Sequence, residues 1–340
     1  MAARPRRKSA KSAEAGDEFE RIRRYFAPLA QNFPGAFDLT DDAALIVPGP
    51  GQQLVVTTDA LVAGVHFFGD EQASLIARKA LRVNLSDLAA MGATPLAYTL
   101  ALALPPDHAE PWLADFAAGL AADQAEFGIY LAGGDSVATP STLTMSITAL
   151  GTIVNGQALR RNGAVVGDLV CVSGTIGDSA LGLIARTGGL GDLPRPAQRD
   201  LIGRFELPQP RLSLGRALAG VAHSAIDISD GLVADLGHIA RASDVRMVID
   251  WARIPLSPPA LLAVAKQPQR RDLILGGGED YELAFTIPPD QAGNLRAIAL
   301  SVGVMVTEIG RVESGAGVTV LDQDGNDVTP LSGGYRHFEG

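Results

Sequence analysis

Strand-length apolar runs alternate with longer stretches of helical periodicity, and the chain of 340 residues has room for two domains. It is 47% hydrophobic but only 5% aromatic, so its core must rest on Ala, Leu, Val and Ile, as packed helices and sheets do. These observations predict an α/β protein of α+β layers: an N-terminal domain of mixed sheet plus helices (residues 17–156) and a C-terminal α/β domain (157–340).

Residues 1–16 carry Arg4, Arg6, Arg7, Lys8 and Lys11 among Ser and Ala, without the apolar stretch of a secretory signal. They read as a solvated, disordered tail, with an organelle address as the alternative. Phe19, Ile22, Phe26 and Leu29 then recur at helical spacing, which predicts an amphipathic helix packed on the first domain. Leu54 to Thr58 reads as a strand, 74–91 as a long helix, 97–104 as a strand and 111–127 as a second helix. Strands follow at 129–132 and 143–154. The turn-rich stretch from Asn155-Gly156 to Gly167-Asp168 marks the domain junction. Beyond it come a strand at 169–173, a helix from about Ser179, a Gly/Pro-rich loop at 188–196 and a helix near 211–222. A strand at 225–228, a helix at 231–243 and a strand at 281–287 complete the pattern.

The net charge of −10 argues against a nucleic-acid partner, which requires clustered Lys and Arg to displace counterions from phosphates. One cysteine, Cys171, can form neither an intrachain disulfide nor a thiolate metal site, so a reducing, cytoplasmic setting is expected. The longest uncharged window, 88–106, is broken by Gly92, Thr94, Pro95 and Thr99, so no membrane span is expected.

The candidate chemistry lies in acids flanked by hydroxyls and glycines: Asp41-Asp42, Thr57-Thr58-Asp59, Asn84-Leu85-Ser86-Asp87, Gly133-Gly134-Asp135 and Asp227-Ile228-Ser229-Asp230. Taken singly, each also suits a turn, a cap or a solvent-facing position. Taken together, they sit beside small apolar residues where water is scarce. Two carboxylates about 4 Å apart repel by roughly 4 kcal/mol at an effective dielectric near 20, so such a cluster requires cations or shared protons. Oxygen donors without cysteine, and five histidines forming no ligand-spaced pair, point to Mg²⁺ rather than zinc. Phosphate is the natural bridge. Ser229-Asp230-Gly231 opens a helix whose free amides would favour an anion, although Ser229 could equally serve only as an N-cap, and Gly133-Gly134 would let backbone approach a phosphate closely. There is no G-x-x-x-x-G-K-[ST] loop and no protein-kinase signature set, so a nucleotide must be held by metals and backbone.

Several runs carry a resemblance in chain order: Asp41-Asp42-Ala43-Ala44-Leu45, Thr57-Thr58-Asp59-Ala60-Leu61 through Gly64-Val65-His66-Phe67, and Val83-Asn84-Leu85-Ser86-Asp87-Leu88 through Gly92-Ala93. Gly133-Gly134-Asp135, Ile226 to Leu232, Gly277-Gly278-Glu279-Asp280-Tyr281-Glu282 and Gly334-Tyr335-Arg336-His337-Phe338 continue it. From about residue 38 to the C-terminus the chain resembles the thiamine-monophosphate kinase family, of the aminoimidazole ribonucleotide synthetase superfamily.

The resemblance implies a homodimer joined by a β-barrel through a dimerising N-terminal domain, and a C-terminal domain of the aminoimidazole ribonucleotide synthetase type. It also implies in-line transfer of the ATP γ-phosphoryl group to thiamine monophosphate, without a phosphoenzyme. Carried over by position, Asp42, Thr57, Thr58, Asp59, Asp87, Asp135, Asp227 and Asp230 are the expected Mg²⁺ ligands. Gly134, Asp135, Arg161 and Ser229 are expected at ATP, and His66, Glu279 and Tyr335 at the substrate. The chain departs from the family in having Thr40 where Gly usually precedes the paired acids, and in having Ser136 after Asp135. A purine-type synthetase of the same superfamily and a non-catalytic nucleotide sensor are the alternative classes; the Gly-Gly-Glu-Asp-Tyr-Glu run and the full set of acids speak against them.

Overall fold

The computed structural model describes residues 18–106, 108, 110–331 and 334. The N-terminal segment begins with α1 (Glu18–Arg21), passes through a π-helical turn (Ile22–Phe26) and continues as α2 (Ala27–Ala30). Pro28, which lacks an N–H and crowds the turn before it, accompanies this irregularity. Tyr25, Phe26 and Leu29 are buried while Arg23 and Arg24 face out, and Gln124 donates to the carbonyl of Leu29, seating the segment on the first domain.

Four strands, β1 (Gln52–Val62), β2 (Thr94–Leu104), β3 (Tyr130–Ala138) and β4 (Thr144–Val154), form a mixed sheet in the order β1-β4-β2-β3. Two helices, α3 (Ala73–Ala90) and α4 (Glu110–Phe127), lie with it. Helix α3 is buried almost all round, as a helix enclosed between layers must be, and its buried polar residues, Lys79, Arg82, Asn84 and Ser86, mark where it meets polar partners. It ends at Gly92, whose φ of 73° is the left-handed turn that returns the amide of Ala93 to the carbonyl of Leu88. Its buried Arg82 donates to both carboxylate oxygens of Asp123, to Glu126 and to the carbonyl of Pro208, pinning α3 to α4 and to the second half of the chain. Breaking such a buried pair costs about 3–5 kcal/mol.

The second sheet runs β10-β7-β9-β5-β8-β6, from β5 (Leu169–Ser173), β6 (Ser224–Asp227), β7 (Arg246–Asp250), β8 (Leu283–Ile287), β9 (Val306–Glu313) and β10 (Gly317–Leu321). Side-chain alternation divides its strands between two cores. Cys171, Leu283, Phe285 and Ile287 join the core around α3, whereas Val170, Val172 and Ala284 face a second one. Around the sheet pack α5 (Asp178–Arg186), α6 (Arg195–Glu206), α7 (Leu212–Leu218), α8 (Leu232–Ser243), α9 (Pro258–Lys266), α10 (Arg271–Gly276) and α11 (Ala292–Val302).

The α/β layering read from the sequence is present, with three local corrections. The strand expected at 129–132 continues as β3 to Ala138, so Gly133, Gly134 and Asp135 lie within a strand paired with β2 instead of at its end. The expected loop at 188–196 gives way to α6 at Arg195. The strand expected from Tyr281 starts at Leu283, because Tyr281 has φ 50° and cannot extend.

Candidate active site

Where α3 lies between the two sheets, a cleft of about 680 Å³ opens, lined by Thr58, Asp59, His66, Lys79, Asp87, Asp227, Ser229, Asp230, Glu279 and Tyr281. β1 supplies Thr57 and Asp59 on its inward side. Helix α3 supplies Asp87 one turn before its end, and β6 ends on Asp227. The Thr57 hydroxyl donates to Asp87 Oδ2, and the Ser86 hydroxyl donates to Asp227 Oδ2 at 2.8 Å. Thr58 is committed elsewhere: its hydroxyl donates to the carbonyl of Ile147 and accepts from Thr148.

The carboxylates press on one another. Burial, then the charge of Asp87, pushes Asp59 up to about 6. Burial raises Asp87 against the Thr57 hydrogen bond and the charge of Arg161. Burial and Asp87 carry Asp227 well above the usual carboxylate range. Arg161, exposed on the segment between the sheets, therefore acts on this site through its charge.

The opposite wall is set by the Gly277 to Glu282 run. Gly278 has φ 70°, and a Cβ there would lie 2.4 Å from the carbonyl oxygen of Ser229, so only glycine allows this loop to sit against residues 229–231. Glu279 and Tyr281 both hold positive φ, at 60° and 50°, a strained backbone of the kind that collects at functional sites. Their amides donate to the carbonyls of Ser229 and Ile228, which holds the strain in place. Of the three acids in the run, only Glu279 lines the cleft. Asp280 accepts from the amides of Gly177 and Ser179, while the fully buried Glu282 accepts from Ser173, Arg204 and Arg211. His66 takes the Val62 amide on Nδ1 at 3.1 Å.

Two functional residues escaped the sequence reading. Lys79, only 3% exposed, places Nζ 2.8 Å from Glu279 Oε2, 3.0 Å from the His66 carbonyl and 3.8 Å from the centre of the Phe205 ring. It ties the two halves of the cleft together. Asp235, in the first turn of α8, accepts the amides of Ser229, Asp230 and Gly231 on Oδ2 at 3.0–3.1 Å. The amides expected to be free for a phosphate are therefore occupied by a side chain. An acid in a helix's first turn is a known partner of the preceding amides and was the available signal.

The expected ligands do not all meet here. Asp42, Gly134 and Asp135 line a separate cavity of about 500 Å³, with Asp41, Thr99 and Leu100. The sheet order puts β1 and β3 at opposite edges, three strand spacings or roughly 14 Å apart. Asp42 and Asp135 are exposed. Gly134 has a packing reason of its own, since a Cβ would fall 2.1 Å from the carbonyl oxygen of Leu100. Thr40 has φ −103°, so no left-handed residue is required where the family has Gly; Phe37, Asp38 and Leu39 take the positive φ instead. Tyr335 lies outside the described residues, as do residues 1–17. A larger cavity of about 830 Å³ between α11 and β9 holds an Arg253–Glu308 ion pair and none of these acids.

Residues 40–153 match the family described as AIR synthase related protein, N-terminal domain, and residues 165–323 match its C-terminal domain. The chain is 43% identical over 332 residues to the thiamine-monophosphate kinase of Caulobacter vibrioides, covering 97% of this chain and 93% of that one. It superposes on the crystal structure of thiamine-monophosphate kinase from Stenotrophomonas maltophilia K279a with a TM-score of 0.77 at 44% identity, over 85% of this chain and 90% of that one. Against AaThiL complexed with AMPPCP and TMP, the TM-score is 0.75 at 33% identity, over 88% and 91% of the two chains.

Proposed function

The chain belongs to the thiamine-monophosphate kinase family, and on that premise we propose that it transfers the γ-phosphoryl group of ATP in line to thiamine monophosphate, yielding thiamine diphosphate and ADP. The observation that carries this reading is the convergence of Asp59, Asp87, Asp227 and Asp230 opposite Glu279 and His66 in one cleft. The similarity to AaThiL, a protein solved with an ATP analogue and TMP, supports it.

Buried carboxylates that raise one another's pKa fit a divalent cation, and the oxygen-only donor set fits Mg²⁺. Asp59, Asp87, Asp227, Asp230 and the Thr57 hydroxyl would hold it, and when bound it supplies charge neutralisation for the transferring phosphoryl group. The protein's own contribution is positioning. Lys79 fixes Glu279 toward the cleft, where a carboxylate suits the cationic thiazolium substrate, and Phe67, Phe68 and Phe205 provide an apolar wall for its rings. Asp42, Thr58, Asp135, Gly134, Arg161, Ser229 and Tyr335 complete the proposed ligand set.

We place the domain division near residue 157. A cytoplasmic homodimer is proposed as well. The sheet face turned away from α3 and α4 leaves Val56, on the 11-residue edge strand β1, 60% exposed and Val154, on the neighbouring β4, 56% exposed, a surface suited to a second copy. Among the described residues no helix is long and apolar enough to cross a membrane.

The test is chromatographic detection of thiamine diphosphate from purified protein, thiamine monophosphate, ATP and Mg²⁺, with EDTA and free thiamine as controls. Metal-dependent product from the monophosphate but not from thiamine is the expected result. ATP binding without product would move the assignment to another substrate or to a sensor.

A further inference from the structure

Residues 228–231 are held from two sides at the edge of the cleft. Asp227 closes β6, Gly231 opens α8 with φ 126°, and between them Ser229 and Asp230 line the cleft. The segment is fixed from one side by the 276–281 run: a Cβ on Gly231 would meet Gly276 at 2.8 Å, and the Ser229 carbonyl accepts from Glu279. From the other side, three consecutive amides converge on one oxygen of Asp235, which is 2% exposed. Main-chain N–H groups gathered in this way form an anion nest, which in many enzymes receives a phosphate. Here the chain fills the nest with its own carboxyl group.

We propose that Asp235 is a positioning residue that fills this nest, excludes the ATP phosphates from it and so fixes where the Asp230 and Ser229 side chains enter the cleft. The proposal rests on the kinase reading of the site and deepens it. It gives the nucleotide phosphates one protein contact fewer at α8 and leaves them to be held by the acids and the groups they bind. It also assigns the trio Asp230, Asp235 and His238, whose ligand atoms lie within 4.8 Å of one another, to scaffolding, because Asp235 Oδ2 is committed to three amides.

The experiment compares Asp235→Ala and Asp235→Asn with wild type by hydrogen exchange over residues 229–231 without substrates, and by steady-state kinetics. Alanine leaves the three amides without a partner; they should exchange fast, and kcat should fall about 100-fold, the cost of displacing a reacting group by about an ångström. KM for thiamine monophosphate should stay put. Formate, a small carboxylate able to refill the nest, should restore turnover and slow exchange in Asp235→Ala while leaving wild type unchanged. Asn keeps an acceptor oxygen and should retain both protection and most of the activity. If the alanine protein does not fold, Asp235→Ser, too short to reach all three amides, carries the same comparison. Amides that stay protected in the alanine or serine variant overturn the proposal. So does loss of activity in both Asp235→Ala and Asp235→Asn that is recovered by raising Mg²⁺, which would make Asp235 a metal ligand. Wild type that makes no thiamine diphosphate removes the kinase reading and leaves the exchange comparison standing.

Discussion

Asp87 and Asp135 are both carboxylates among small residues, yet Asp87 is half-buried where α3 lies between the two sheets and Asp135 stands exposed on an edge strand. Around Asp87 the neighbouring acids raise one another and hydroxyls from Thr57 and Ser86 hold the set in place. Among the described residues the Asp135 carboxylate accepts only its neighbour's amide, from Ser136, and the side chain is exposed to solvent. The same residue type therefore stores electrostatic strain in one place and meets solvent in the other. On the proposed reading the cleft receives a cation, and the edge cavity meets a ligand arriving from solvent.

The largest effect expected from this contrast is at Asp87. Asp87→Asn removes the charge that raises both Asp59 and Asp227, so the metal-free protein should melt higher, while kcat falls on the order of 10³-fold as charge stabilisation is lost. Calorimetry and turnover of the same preparation check both signs. Near wild-type turnover would take Asp87 out of the chemistry, and a lowered melting temperature would mean that the acids do not strain the fold.

Asp135→Asn should be milder. An exposed side chain changes stability by no more than about 0.5 kcal/mol. KM for ATP should rise about tenfold, equivalent to about 1.4 kcal/mol of binding, with kcat little altered. A kcat loss equal to that of Asp87→Asn would break the comparison, because the two cavities would then act as a single site.

How much of this could be read beforehand depends on how locally each feature is encoded. The strand 169–173 was legible to its ends, because the apolar run Leu169 to Val172 faces two cores by turns and the polar Ser173 closes it. Helix α3 was legible within a residue at each end. Strands β7, β9 and β10 went unread: they are short or bear charges on one face, as at Arg246, Glu308 and Arg311, and take their register from partners far along the chain. The acids of the cleft were legible because carboxylates rarely sit beside Ala, Val and Ile without a reason. Their division between two cavities was not, since it follows from the sheet order, which no local run specifies. Lys79 was hidden for a similar reason. In sequence it is a charge on a helix, and its partner Glu279 lies 200 residues away.

Asp280 sharpens the comparison with the smallest effect. It is as buried as Asp227 in the cleft, but it faces the amides of Gly177 and Ser179 instead of the cleft. Burial, opposed by those amides and reinforced by Asp178, pushes it up to about 8. The unfolded chain releases this proton near the ordinary carboxylate value of about 4, so between about pH 4 and about pH 8 the folded state alone holds it. Unfolding in that window releases a proton, and stability must fall as pH rises, by at most about 1.4 kcal/mol per pH unit for one group. Asp59 and Asp227 carry the same sign without metal, but a saturating divalent cation favours their charged forms and removes their share. In excess Mg²⁺ the denaturant midpoint should therefore still decline from about pH 5 to about pH 8 in wild type and decline less steeply in Asp280→Asn, whose amide needs no proton; the remaining slope, which ends near pH 7, belongs to Asp235, pushed up by burial to about 7. Parallel slopes in the two proteins would show that Asp280 ionises normally and that burial alone does not separate a structural acid from a cation-binding one.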